Sequence, residues 1–168
     1  HAPLHDVYGI VVPGGFGDLD NAVSEALAAG ITVVASSGNS GEDACTLSPQ
    51  RVAGVITVGA SSTASGLYDA YESPTTDEMV ADSGHGPCVS VFTEGYWLQS
   101  ALPDNSWLES TCLSTRFSGN NLLCELSLAN TSLAAPQAAG VAAQYLQTHP
   151  SATPAQVKSE IVASAFSN

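Results

Sequence analysis

In Ala129-Asn130-Thr131-Ser132-Leu133-Ala134-Ala135-Pro136-Gln137-Ala138-Ala139-Gly140 a polar turn runs without a break into a run of small residues. Alanine or glycine at 134, 135, 138, 139, 140, 142 and 143 leaves little bulk on the helix this predicts, so other backbones can approach it closely. Ser132 falls in its first turn, beside free N–H groups and the positive end of the helix dipole. Two readings stay open there. A serine at that place commonly caps the helix; it also suits a nucleophile whose own N–H helps hold an oxyanion. A second stretch bears on the choice. Ile31-Thr32-Val33-Val34-Ala35 reads as a β-branched strand ending in Ser36-Ser37-Gly38-Asn39-Ser40-Gly41. An asparagine at the carboxyl end of a parallel strand, beside a glycine turn, projects into the crevice where α/β proteins bind ligands.

The elements that must position these residues follow from the apolar pattern. Val7–Val12 reads as a buried strand closed by Pro13-Gly14-Gly15. Asp18 to Ala29 reads as a helix, with Asp18 as cap, Leu19, Val23, Ala26 and Leu27 at helical spacing, and Gly30 as the stop. With the strand at 31–35 this forms one right-handed β-α-β unit. Further strands are expected at 52–58 and 89–92, and a polar surface loop between Ser61 and Pro87. Tyr96–Leu102 and Leu108–Phe117 are expected to pair as a hairpin. Helices at about 131–147 and 154–165 close the chain. The 168 residues suit one domain, spanning 1–168.

Composition excludes several functions. Sixteen acidic against three basic residues give a net charge of −13. Three cations cannot neutralise a phosphate backbone, so no nucleic-acid partner is expected. An anionic membrane surface would repel the chain, and no apolar run reaches the 18 or so residues of a span. Four cysteines without C-x-x-C spacing argue against zinc and for disulfides in an oxidising compartment, so a secreted protein is expected. Their number alone leaves three pairings open.

The Asn39 turn and the Ser132 segment together resemble the subtilisin-like serine proteases. In that family the oxyanion asparagine lies in A-A-G-N and the nucleophile in G-T-S-M-A-T-P-H-V-A-G. The similarity continues through Tyr145-Leu146-Gln147-Thr148-His149-Pro150 and Thr153-Pro154-Ala155-Gln156-Val157, and runs from about residue 7 to about 165. It implies a doubly wound parallel α/β fold and peptide hydrolysis through an acyl-enzyme, with Ser132 as nucleophile and Asn39 as oxyanion donor. No cofactor is implied. Substrate binding is implied for Val11, Val12, Pro13 and Gly14, where the family has S-L-G-G and pairs with an extended polypeptide by β-augmentation, and for Ser36, Ser37 and Gly38. The cysteines resemble those of the proteinase K and proprotein convertase branch, which implies Cys45–Cys88 and Cys112–Cys124 disulfides.

The departures from the family pattern matter as much. The triad aspartate and histidine belong to D-[ST]-G and H-G-T-H segments preceding the oxyanion asparagine, and neither segment occurs. His1, His5, His85 and His149 read as surface residues. The chain therefore reads as the carboxyl-terminal half of a catalytic domain. An amino-terminal part, as a separate segment or chain, is expected to supply the Asp and His, and residues 1–168 are expected not to fold stably alone. Pro13 replaces a glycine and lacks the N–H that would pair with substrate, a loss of roughly 0.5–1.5 kcal/mol. Asn130 stands for a glycine, Leu133 for methionine, Ala135 for threonine or serine, and Gln137 for histidine. Asn130-Thr131-Ser132 is also a glycosylation sequon. Ser90 stands where relatives carry a carboxylate that can bind calcium, so no metal site is carried over. The leading expectation is a serine endopeptidase completed by the upstream part. The alternative is a secreted pseudoprotease acting as a structural or binding module. A small-molecule-binding α/β domain is a third reading, which the want of a Gly-rich phosphate loop disfavours.

Overall fold

The computed structural model describes residues 16–62, 78–95, 98–101, 114–118, 121–126 and 130–165. The expected strand at 7–12, the expected substrate segment Val11–Gly14, His1, His5 and Cys112 lie outside the described residues.

Helix α1 spans Phe16–Ala28. It starts two residues before Asp18, so that carboxylate sits in the first turn, where it favours the dipole, rather than at the cap. The helix ends in a Schellman motif: Gly30 N–H donates to Leu27 O (3.0 Å) and Ile31 N–H to Ala26 O (3.0 Å). Gly30 takes φ 86°, the left-handed conformation this cap requires. Because Ile31 completes the cap, strand β1 begins late and covers only Val34–Ser36. Ile31 itself is exposed.

Strand β2 spans Ile56–Ser62, and all seven residues are buried. The sequence expectation placed this strand at 52–58. The segment before it instead turns, with Val52 N–H donating to Pro49 O and Val55 N–H to Val52 O. Gly54, at φ 103°, takes the chain out of that turn, so the strand starts after it. Along one edge β2 pairs in parallel with β1 (Val34↔Ile56 to Ser36↔Val58). The same edge then pairs antiparallel with the short β3, Glu78–Met79, at Ser61 and Ser62. The other edge pairs in parallel with β4, Val91–Glu94. The parallel α/β expectation therefore holds for β1, β2 and β4, with one antiparallel addition.

Helix α2, Thr131–Thr148, lies across β1, β2 and β4. Ala134, Ala138 and Ala142 recur every four residues and are buried against Ile56, Val58 and Ala60, with Val157 and Ile161 of helix α3 (Pro154–Ser164) completing the core. The small-residue helix is thus buried along one stripe and not all round: Ala139, Gly140, Val141 and Ala143 are exposed. Thr153 starts α3 with a capping box to Gln156. Lys158 reaches from α3 to donate to Val55 O (2.7 Å), and its burial lowers its pKa below 10.5.

A second, antiparallel sheet has the order β5-β7-β6, from Leu98–Ala101, Ser114–Ser118 and Asn121–Leu126. It corrects the expected hairpin. The strand from 98 pairs with β7, and β6 pairs with β7 as well, from Ser114↔Glu125 to Ser118↔Asn121. The signal was Gly119-Asn120, the two residues between that closing pair and a recognised hairpin connection.

Candidate functional site

The carboxyl end of β1 leads straight into the turn that carries Asn39. Ser37 is fully buried; its N–H donates to Val58 O, which extends the ladder with β2. Residues 80–86, expected to be part of a surface loop, lie against this turn. Gly84 N–H donates to Gly38 O (2.8 Å), and Ser83, 1% exposed, receives the Ala60 N–H on its hydroxyl. A Cβ on Gly84 would stand 2.1 Å from Ser37 O, so only glycine lets the two backbones meet. Gly41 N–H donates to Asp82 O, Ala44 N–H to His85 O and His85 N–H to Glu42 O. The Cys45–Cys88 disulfide, with Cα atoms 5.2 Å apart, closes the same junction. The Gln50 side chain donates to Ser36 O (2.8 Å) from the opposite side.

This framework aims Asn39 at the start of α2. Its Oδ1 accepts from Thr131 N–H and from Thr131 Oγ1, each at 2.8 Å. Its Nδ2 donates to Asn130 Oδ1 at 3.1 Å. Asn130 is the helix cap, with an extended backbone (φ −155°, ψ 129°), and its Oδ1 also accepts from Ser132 N–H at 2.7 Å. Thr131 is fully buried, whereas Ser132 is exposed. The ambiguity over Ser132 is thereby resolved for the cap: Asn130 performs that task, and the Ser132 hydroxyl makes no hydrogen bond to a described residue.

One turn further on, Gln137 Nε2 donates to Leu133 O (3.1 Å) and to Glu94 O, tying α2 to the end of β4. Ser90 has a structural use as well. Its N–H donates to Thr57 O and its Oγ accepts from Thr57 N–H (3.2 Å), so it lengthens the β2–β4 pairing. Among the described residues no group of three or more His, Cys, Asp or Glu could hold a metal ion, and no helix is long and apolar enough to cross a membrane. His85 and His149 are exposed, the latter stacked on Tyr145.

An exposed serine in the first turn of a buried-stripe helix, with an asparagine from a strand end over 90 residues earlier held against it, is a specific arrangement. Sequence comparison then decides its lineage, because residues 8–168 match the subtilase family. The chain belongs to the subtilase family. Its relatives include the extracellular serine proteinase of Thermus sp. (strain Rt41A), 38% identical over 144 residues, which cover 86% of this chain and 28% of the relative. Alkaline serine exoprotease A of Vibrio alginolyticus is 35% identical over 147 residues, 88% of this chain and 22% of that protein. The crystal structure of a cold-adapted subtilisin-like serine proteinase superposes with a TM-score of 0.64 at 32% identity, covering 89% of this chain and 44% of the other. The subtilase chain described here thus spans under half of the length of these relatives.

Proposed function

We propose that this chain is the carboxyl-terminal part of a secreted subtilisin-like serine endopeptidase of the proteinase K and proprotein convertase branch. The observation that carries the reading is the meeting of Asn39 with the helix turn bearing exposed Ser132. Ser132 Oγ attacks the carbonyl carbon of a polypeptide while its proton passes to a histidine of the upstream part. The carbonyl oxygen takes up the displaced electron pair and is held by Asn39 Nδ2 and Ser132 N–H. Collapse of this intermediate breaks the C–N bond as the histidine returns its proton to the leaving amine, and the acyl group left on Ser132 is then removed by water, which the same histidine deprotonates. On this reading Ser36 and Gly38, partly exposed beside Asn39, receive the substrate together with the segment 11–14, whereas Ser37 is fully buried and serves the pairing with β2 instead. The serine proteinase and serine exoprotease names of the two relatives, the first of them extracellular, support this reading. Cys112–Cys124 joins Cys45–Cys88 as a second disulfide.

The histidine and aspartate come from an amino-terminal part of the same domain. The exposed Phe92, Met79 and Val141 around a cleft of about 570 Å³ between β4, α2 and α3 support incompleteness of residues 1–168. Expressed alone, they should give no sharp thermal transition; a soluble monomer melting cooperatively would refute the half-domain.

The second reading, a secreted pseudoprotease, is motivated by Asn130 and Gln137, which depart from the family's glycine and histidine; the Asn130 side chain makes a contact that glycine could not, and Gln137 ties α2 to the end of β4. A fluorophosphonate probe on the full-length protein separates the two. Labelling lost in Ser132→Ala supports the endopeptidase; a folded full-length protein that takes up no label and cleaves no peptide supports the pseudoprotease.

A further inference from the structure

We propose that the side chain of Asn130 is a built-in occupant of the oxyanion hole, which must rotate out before a substrate carbonyl can enter. The inference rests on the reading of Ser132 and Asn39 given above. The orientation of two carboxamides is fixed by their neighbours. The backbone N–H of Ser132 is only a donor, so the Asn130 atom 2.7 Å from it is oxygen. The backbone N–H of Thr131 likewise fixes the Asn39 atom beside it as oxygen, which turns Asn39 Nδ2 toward Asn130. Both oxyanion donors therefore converge on one acceptor, Asn130 Oδ1, at 3.1 and 2.7 Å. Those distances are the ones a tetrahedral oxyanion requires of its donors.

The backbone conveys the same message. At φ −155° and ψ 129° residue 130 is extended, so nothing in its backbone requires glycine, and its N–H is anchored to Gly95 O (2.9 Å). Release of the oxygen needs only rotation about side-chain bonds. The closed and open forms thus share one backbone, and the fraction open scales the apparent reactivity of the site. The exposed Ser132 remains accessible in both forms. Asn130 touches the donors of the reaction and competes with the substrate for them.

The test uses the full-length protein and its Asn130→Gly variant, in which the cap is weakened only slightly. The second-order rate of Ser132 labelling by a fluorophosphonate should rise about tenfold in the variant, a tenfold change in the open fraction. An unchanged or slower rate overturns the proposal. A readout independent of activity comes from selective ¹⁵N labelling of asparagine. In the parent protein the Asn39 side-chain amide should be protected from solvent exchange, and in Asn130→Gly that protection should fall and the resonance move. Free exchange in the parent, or identical spectra, overturns the plug. Failure of the underlying reading looks different: label then persists in Ser132→Ala or appears in neither protein, and the Asn39 resonance alone decides whether the hole is filled.

Discussion

The two parts of α2 are held by different physics. Its first turn is fixed by directional contacts: Asn39, Asn130 and Thr131 exchange hydrogen bonds whose donors and acceptors admit one orientation. Further along, Ala134, Ala138 and Ala142 rest on Ile56, Val58 and Ala60 with no polar contact between the side chains. The first part sets the angle of the reacting groups; the second sets their height above the sheet. Directional contacts fail when one atom is lost, whereas a packed stripe fails when one atom is added.

That contrast is open to breakage. The largest effect is expected at the directional end: Asn39→Ala in the full-length protein should cut peptide turnover by roughly 10²–10³, with circular dichroism unchanged. A loss below tenfold would mean the turn does not act on the reaction. Opening the Cys45–Cys88 crosslink by a double serine substitution should lower unfolding free energy by about 2–4 kcal/mol, measured by denaturant titration. Gly84→Ala, which drives a methyl group into Ser37 O, should cost about 1–3 kcal/mol. Gly140→Ala, on the open side of the stripe with no atom within 4 Å of the added methyl, should instead stabilise by about 0.5–1 kcal/mol. Equal signs for these two glycines would remove the contrast. The smallest effect concerns Lys158. Its pKa is lowered by burial, so the folded state carries a penalty at neutral pH, where the amine is charged in both states. The penalty is relieved as pH rises through the folded-state pKa toward 10.5, so stability relative to Lys158→Gln should increase over that window.

Much of this arrangement was legible in the sequence because it is local. The helices at 131 and 154, the Gly30 stop and the Asn39 turn are written in small residues, caps and a glycine, and each structure lies within a residue or two of its signal. Strand β2 was misplaced by four residues because Val52 and Val55 look like strand, while Gly54 between them sets the turn. The partner of β5 was missed because pairing between strands is not local; the Gly119-Asn120 signal pointed to β7. In the sequence Ser132 reads as cap or nucleophile; Asn and Ser cap helices about equally well, and only the fold shows that Asn130, two residues earlier, takes the cap by accepting from Ser132 N–H. The sequence marked Asn130 as a departure from the family glycine. That its oxygen faces two donors at once needed the fold, since Asn39 is 91 residues away.

The alanine stripe has a consequence for how such a chain can change. Ala134, Ala138 and Ala142 act as a spacer one methyl thick between sheet and helix. Enlarging any of them lifts the helix and carries Ser132 away from Asn39, although neither site residue is altered. In a saturation-mutagenesis library intolerance along the middle of α2 should therefore recur every four residues, at 134, 138 and 142, while the exposed positions 139, 140, 141 and 143 accept substitution. Inactive variants from that stripe would keep every chemically reactive atom and lose only their registration.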